Sequence, residues 1–168
     1  MARMQWIADL FAMDEETWAR HANPLSGWTR VPILPLICLF LCARAWIGWW
    51  CLLPIALLLF WTWYNPRAFP PPETTDAWAS RAVMGERVWL ARDKVPIPAH
   101  HALWADILTW APVIGLMPLV WGIIAIEIWP LILGLVLTVG VKLWFLDRMV
   151  WLYQDMATQH PAYAAWQR

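Results

Sequence analysis

Residues 31–64 read VPILPLICLFLCARAWIGWWCLLPIALLLFWTWY, an apolar run interrupted near its middle by Arg44 and Gly48. One helix of that length would span about 50 Å, well beyond a hydrocarbon core of about 30 Å. Two helices of about 16 residues, joined near Arg44–Gly48, cross and return with slight bilayer thinning. Pro32 and Pro35 fall in the first turn of the first helix, where proline is tolerated. Pro54 falls in the first turns of the second and is expected to kink it. Asn65-Pro66 is expected to close the hairpin.

A second apolar block, 108–146, divides in the same manner at Glu127–Pro130. Pro35-Leu36, Arg44, Trp46 and Trp61 recur 83 positions later as Pro118-Leu119, Glu127, Trp129 and Trp144. A shorter echo links Met13–Trp18 to Met84–Trp89, and another links Glu86–Leu90 to the stretch from Asp147 to Leu152. These echoes predict an all-α integral membrane protein whose four spans form two duplicated hairpins. Repeat 1 covers about 3–67, repeat 2 about 76–148, and an interfacial tail 149–168, all in one membrane domain, 1–168. The competing reading is shared composition in a chain rich in Trp and Leu.

Composition sets the solvent. The chain is 61% hydrophobic and 14% charged, with 17 tryptophans and a net charge of zero. So low a charged fraction departs from soluble domains. Tryptophan collects at membrane–water interfaces, where its ring meets lipid and its N–H meets water. A neutral chain with scattered basic residues offers no nucleic-acid stripe. Residues 5–13 are interrupted by Asp9 and make no signal-peptide core, so the first apolar block is expected to act as an uncleaved anchor. Cys38, Cys42 and Cys51 all lie in that block and read as reduced packing residues.

Amphipathic helices on the cytoplasmic side are expected over about 3–20 and 77–92. Trp78, Val83, Val88 and Trp89 form the apolar face of the second, and Thr75-Asp76 its cap. Gly134-x-x-x-Thr138 gives the fourth span a small face for close packing. Arg3, Arg20 and Arg30 precede the first span, five basic residues lie in 65–107, and Arg148 and Arg168 follow the last. The positive-inside rule then places both termini and the central connection in the cytoplasm.

Three residue sets carry the chemistry the sequence offers. Arg44 and Glu127 sit at the two predicted tips. Their readings, in order, are contact with headgroups and water, a structural ion pair between hairpins, and a transport or proton relay. His21, Glu86, His100, His101 and Asp147 are the candidates for a cytoplasmic-face site binding a divalent transition metal. No diagnostic ligand spacing supports that set, and adjacent helical histidines diverge by about 100°. Arg81, Arg87, Arg92 and Lys94 are candidates for holding anionic lipid headgroups. Nucleophile elbows, phosphate loops and dinucleotide fingerprints are absent. Polar residues within the spans are Thr62, Thr109 and Thr138, which line no path visible in the sequence.

Trp18-Ala-Arg-His21-Ala-Asn23-Pro24, then Trp28-Thr29-Arg30, resembles the opening of a family of small Trp-rich prokaryotic membrane proteins of unknown function. Gly85–Trp89, Pro98–His101 and Trp144–Arg148 are similar to its later segments, so the resemblance covers roughly 15–155. It implies a membrane fold and no particular activity. The expected function is a non-catalytic membrane component without a cofactor, either accessory, scaffolding or lipid-organising. Its partners would be lipids and a larger complex or further copies of itself. The alternative is a small membrane metalloenzyme.

Overall fold

The computed structural model describes residues 13–168. In order these form α1 (Glu15–His21), α2 (Pro24–Trp28), α3 (Ile33–Ile47), a 3-10 turn (Gly48–Cys51), α4 (Leu52–Ala68), α5 (Trp78–Leu90), α6 (Ala99–Trp110), α7 (Pro112–Ala125), α8 (Ile128–Gln159) and α9 (Pro161–Ala164). No strand occurs among the described residues. Among the described residues, three helical stretches are long and apolar enough to cross a membrane: Pro24–Ala68, Ala99–Ala125 and Ile128–Gln159.

The first stretch is not straight. Gly48, at φ 57°, ends α3 in the left-handed region that glycine enters without a Cβ penalty. At the far end of α4, the fully buried Asn65 meets α2. Ser26 Oγ donates to Asn65 Oδ1 at 2.7 Å, and Asn65 Nδ2 donates to Thr29 Oγ1 at 2.9 Å. Helix α4 therefore ends at the level where α3 begins. Two further bonds hold the exit from α4: Arg20 Nε to the Phe69 carbonyl at 3.1 Å and Asn23 Nδ2 to the Pro70 carbonyl at 3.0 Å. Asn65-Pro66 does not terminate the helix as its sequence suggests, because α4 runs on to Ala68 with both residues buried.

Helices α7 and α8 pack closely. A Cβ placed on Gly134 would lie 2.5 Å from the Leu119 backbone, and one on Gly115 would lie 2.6 Å from Thr138 Oγ1. The small face read from Gly134 and Thr138 is thus the contact face. The turn between the two helices places Ile126 at φ 57°, a left-handed conformation unfavourable for a β-branched residue. Helix boundaries do not follow the 83-residue echo. Ile33 to Pro112 is 79 positions (112 − 33), Ile47 to Ala125 is 78 (125 − 47), and Leu52 to Ile128 is 76 (128 − 52). The two helix pairs share an order rather than that register.

The buried core gathers where α5, α6 and the last turns of α8 meet. It contains Met84, Val88 and Trp89 of α5, Leu108 of α6, Met149, Leu152, Tyr153 and Met156 of α8, and Tyr163. Helix α8 does not stop near 146. It continues to Gln159, and its last turns form the spine of this core. Helix α5 packs on protein, with Val83, Val88 and Trp89 buried: Gly85 stands directly against the Met149 carbonyl, an approach that leaves no room for a Cβ. Its N-cap is Ala77, with no side-chain bond. Thr75 instead holds the C-terminus, through Thr75 N to Arg168 O at 3.2 Å and Arg168 N to Thr75 Oγ1 at 3.0 Å. Of the N-terminal helix expected over 3–20, residues 3–12 lie outside the described residues. The remainder begins at α1, where Asp14 Oδ1 caps the Thr17 amide at 2.8 Å. Trp46, Trp49, Trp50 and Trp129 are 77%, 85%, 77% and 77% exposed. Tryptophan so exposed at the helix turns fits an interfacial belt.

Candidate functional site

Between the N-terminal helices, α4, α5 and α8 lies a cleft of about 570 Å³. Its walls are mostly apolar, with Trp28, Trp78, Val83, Trp89, Leu108 and Phe145 among them. The Trp28 and Trp78 rings stack with centroids 5.9 Å apart. Four ionisable residues converge on it: His21, Arg30, Glu86 and Lys142. So do Thr62, Thr109 and Thr138, the three threonines that the sequence scatters across three spans. Thr62 and Thr109 bond back to the carbonyls of Leu58 and Ala105, whereas Thr138 Oγ1 is buried without a partner.

His21 is buried, and its hydrogen bonds fix its tautomer. Ser26 Oγ gives its single proton to Asn65, so at 2.6 Å it accepts from Nδ1–H of His21. Nε2 is then the acceptor and receives Arg30 NH1 at 3.1 Å. A second ring proton would confront the guanidinium. Burial first, and then the Arg30 charge, push the His21 pKa down to about 4. Glu86 stands opposite. Burial raises its pKa, but the Lys142 ammonium at 2.7 Å, with His21 and Arg30 beyond it, outweighs burial and holds the carboxyl below its usual range. At neutral pH the described lining residues thus present two cations, one carboxylate and a neutral imidazole. A large apolar cleft with a few convergent polar groups is the usual form of a binding site.

The residues singled out in the sequence are dispersed. His21 and Glu86 share the cleft. Asp147 instead accepts Trp78 Nε1 at 3.0 Å, and His101 Nε2 lies 2.7 Å from Asp155 Oδ2. The five proposed metal ligands therefore do not meet at one point. His100 and His101, expected to diverge, have ring centroids only 4.1 Å apart.

Arg44 donates to the Leu41 carbonyl at 2.7 Å and the Ile124 carbonyl at 3.0 Å. It thus ties the α3 end to the α7 end through backbone. Among the described residues no ion pair joins it to the exposed Glu127. Of the headgroup candidates, Arg81 pairs with Asp76 at 3.0 Å, and Arg87 pairs with Glu15 and covers the Trp166 ring at 4.0 Å. Arg92 lies over Trp89, and Lys94 is exposed.

Arg30 and Lys142, the cations that do enter the cleft, were not singled out in the sequence. A usable signal existed: Lys142 is the one charge between Ile128 and Leu146, and Arg30 immediately precedes the first apolar block.

The chain matches a family of unknown function (DUF6653) over residues 2–168 and belongs to it. No curated protein and no solved structure matches it.

Proposed function

We propose that this chain is a non-catalytic, lipid-organising membrane protein that holds one anionic phospholipid in the cleft beside His21, Arg30, Glu86 and Lys142. Its four spans, α3 and α4 followed by α7 and α8, cross and return in two pairs. The cleft, both termini and the 65–107 connection then share the cytoplasmic face of a prokaryotic inner membrane. The observation that carries the reading is the convergence of two cations and one carboxylate on a mostly apolar cleft, beside the bonds that join α4 to α2. Apolar walls take acyl chain, while the net positive charge of Arg30, Lys142 and Glu86 suits a phosphodiester. Lys142 is half-exposed and can reach an incoming phosphate while still touching Glu86. The stacked Trp28 and Trp78 rings supply a flat apolar wall.

The test is native mass spectrometry of protein released from nanodiscs of phosphatidylglycerol or phosphatidylethanolamine. One phosphatidylglycerol should remain bound, in preference to phosphatidylethanolamine. Lys142→Gln keeps a hydrogen-bonding group beside Glu86 but removes a charge worth about 1 kcal/mol to an anionic headgroup, so retention should fall about fivefold. Equal retention of both lipids, or no effect of Lys142→Gln, overturns the reading.

A further inference from the structure

We infer that His100, His101 and Asp155 form a binding site for one divalent first-row transition-metal ion, at the junction of α6 and the last turns of α8. One nitrogen from each imidazole and one Asp155 oxygen lie within 4.8 Å of one another. A tetrahedral ion with bonds of about 2.0–2.1 Å places its ligands roughly 3.3 Å apart. Closing the remaining gap needs only side-chain rotation of His100 and Asp155, both exposed.

Three features separate this group from an incidental cluster. First, adjacent residues on a helix normally point about 100° apart. Here the two rings instead lie with centroids 4.1 Å apart and planes tilted 40°. The pair lies in the first turn of α6, immediately after Pro98-Ala99.

Second, His101 is 2% exposed, so one ligand is held rigidly by the core while the other two can adjust. Its Nε2 lies 2.7 Å from Asp155 Oδ2, so Nε2 is the nitrogen that shares the proposed ion with that carboxylate. A plain His101–Asp155 hydrogen bond leaves the close approach of His100 unexplained.

Third, two imidazoles and a carboxylate are the donor set of three-ligand zinc and non-haem iron sites, which keep a further position open. The exposure of His100 and Asp155 leaves that position toward solvent. The site replaces the ligand set expected from sequence: Asp155 enters, and His21, Glu86 and Asp147 drop out. It uses none of the residues that line the cleft, so it stands independently of phospholipid binding.

The experiment is a Co²⁺ titration of tag-free protein in detergent, followed by visible absorption, with Zn²⁺ competition. The expected result is one saturable equivalent, displaced by Zn²⁺. His100→Ala and Asp155→Asn should each weaken it at least tenfold, with unchanged far-UV circular dichroism. Both substitutions are at exposed side chains, so the fold is retained. Absence of saturable binding overturns the proposal. So does binding that survives both substitutions, which would mark an adventitious ion elsewhere, at Cys38/Cys42 or His160 for example.

Discussion

Lowering the pH from 7.5 to 5 should destabilise this protein through His21. The ring has its ordinary pKa of 6.5 in the unfolded chain and about 4 in the fold. Between those values the unfolded state binds a proton that the folded state refuses, so stability falls as pH falls. At pH 5 the free imidazole is about 97% protonated and the buried one about 10%. The corresponding loss, relative to pH 7.5, is about 2 kcal/mol. For a chain of this size that is roughly 4–8 °C in Tm. Glu86, whose pKa is depressed from 4.5, adds its own loss only below about pH 4.5, outside this window.

The control is His21→Gln, whose amide can donate toward Ser26 and accept from Arg30 without titrating. Thermal unfolding in detergent, followed by far-UV circular dichroism, should show wild type losing several degrees between pH 7.5 and 5. The variant should lose about 2 kcal/mol less over the same window. A wild type that is flat across the window, or a variant with the same slope, refutes the buried neutral histidine and the hydrogen-bond chain that defines it.

Two other outcomes follow from the architecture. Glycine 134 and glycine 140 lie on the same helix, but only the first meets the Leu119 backbone, at 2.5 Å, while a Cβ at Gly140 meets nothing within 4 Å. Gly134→Leu should therefore cost at least about 1–3 kcal/mol, read as a lowered Tm, and Gly140→Leu should be nearly neutral. In a background with Cys38, Cys42 and Cys51 replaced, Glu73→Cys and Gln167→Cys should react with an impermeant maleimide from one side of the membrane and Trp49→Cys from the other. Labelling of positions 73 and 167 from opposite sides contradicts the paired-span topology.

What was legible in the chain was what local composition can encode. The length of 31–64 and of the second block, with Gly48 between helices, announced long apolar helices before any contact was known. The face of α8 bearing Gly134 and Thr138 was readable because close packing needs small residues at helical spacing. The helix ends were less legible. Pro66 looked like a terminator but is carried inside the last turn of α4, where Asn65 is bound by Ser26 and Thr29. Asp147 looked like the start of a new segment, yet α8 runs through it because its far turns bury Met149, Leu152 and Met156 against α5.

Sequence by itself determined the helices: a chain 61% hydrophobic, with only a few charges inside long apolar runs, forms stretches long and apolar enough to cross a membrane, where a helix alone satisfies its own backbone polar groups. Tertiary structure alone decided which distant polar groups meet. Thr62, Thr109 and Thr138, one from each of three helices, share a cleft with Arg30 and Lys142, while His100 and His101 find Asp155 rather than His21 or Glu86. Such meetings depend on helix rotation and on contacts made tens of residues apart, and no local pattern along the chain records either.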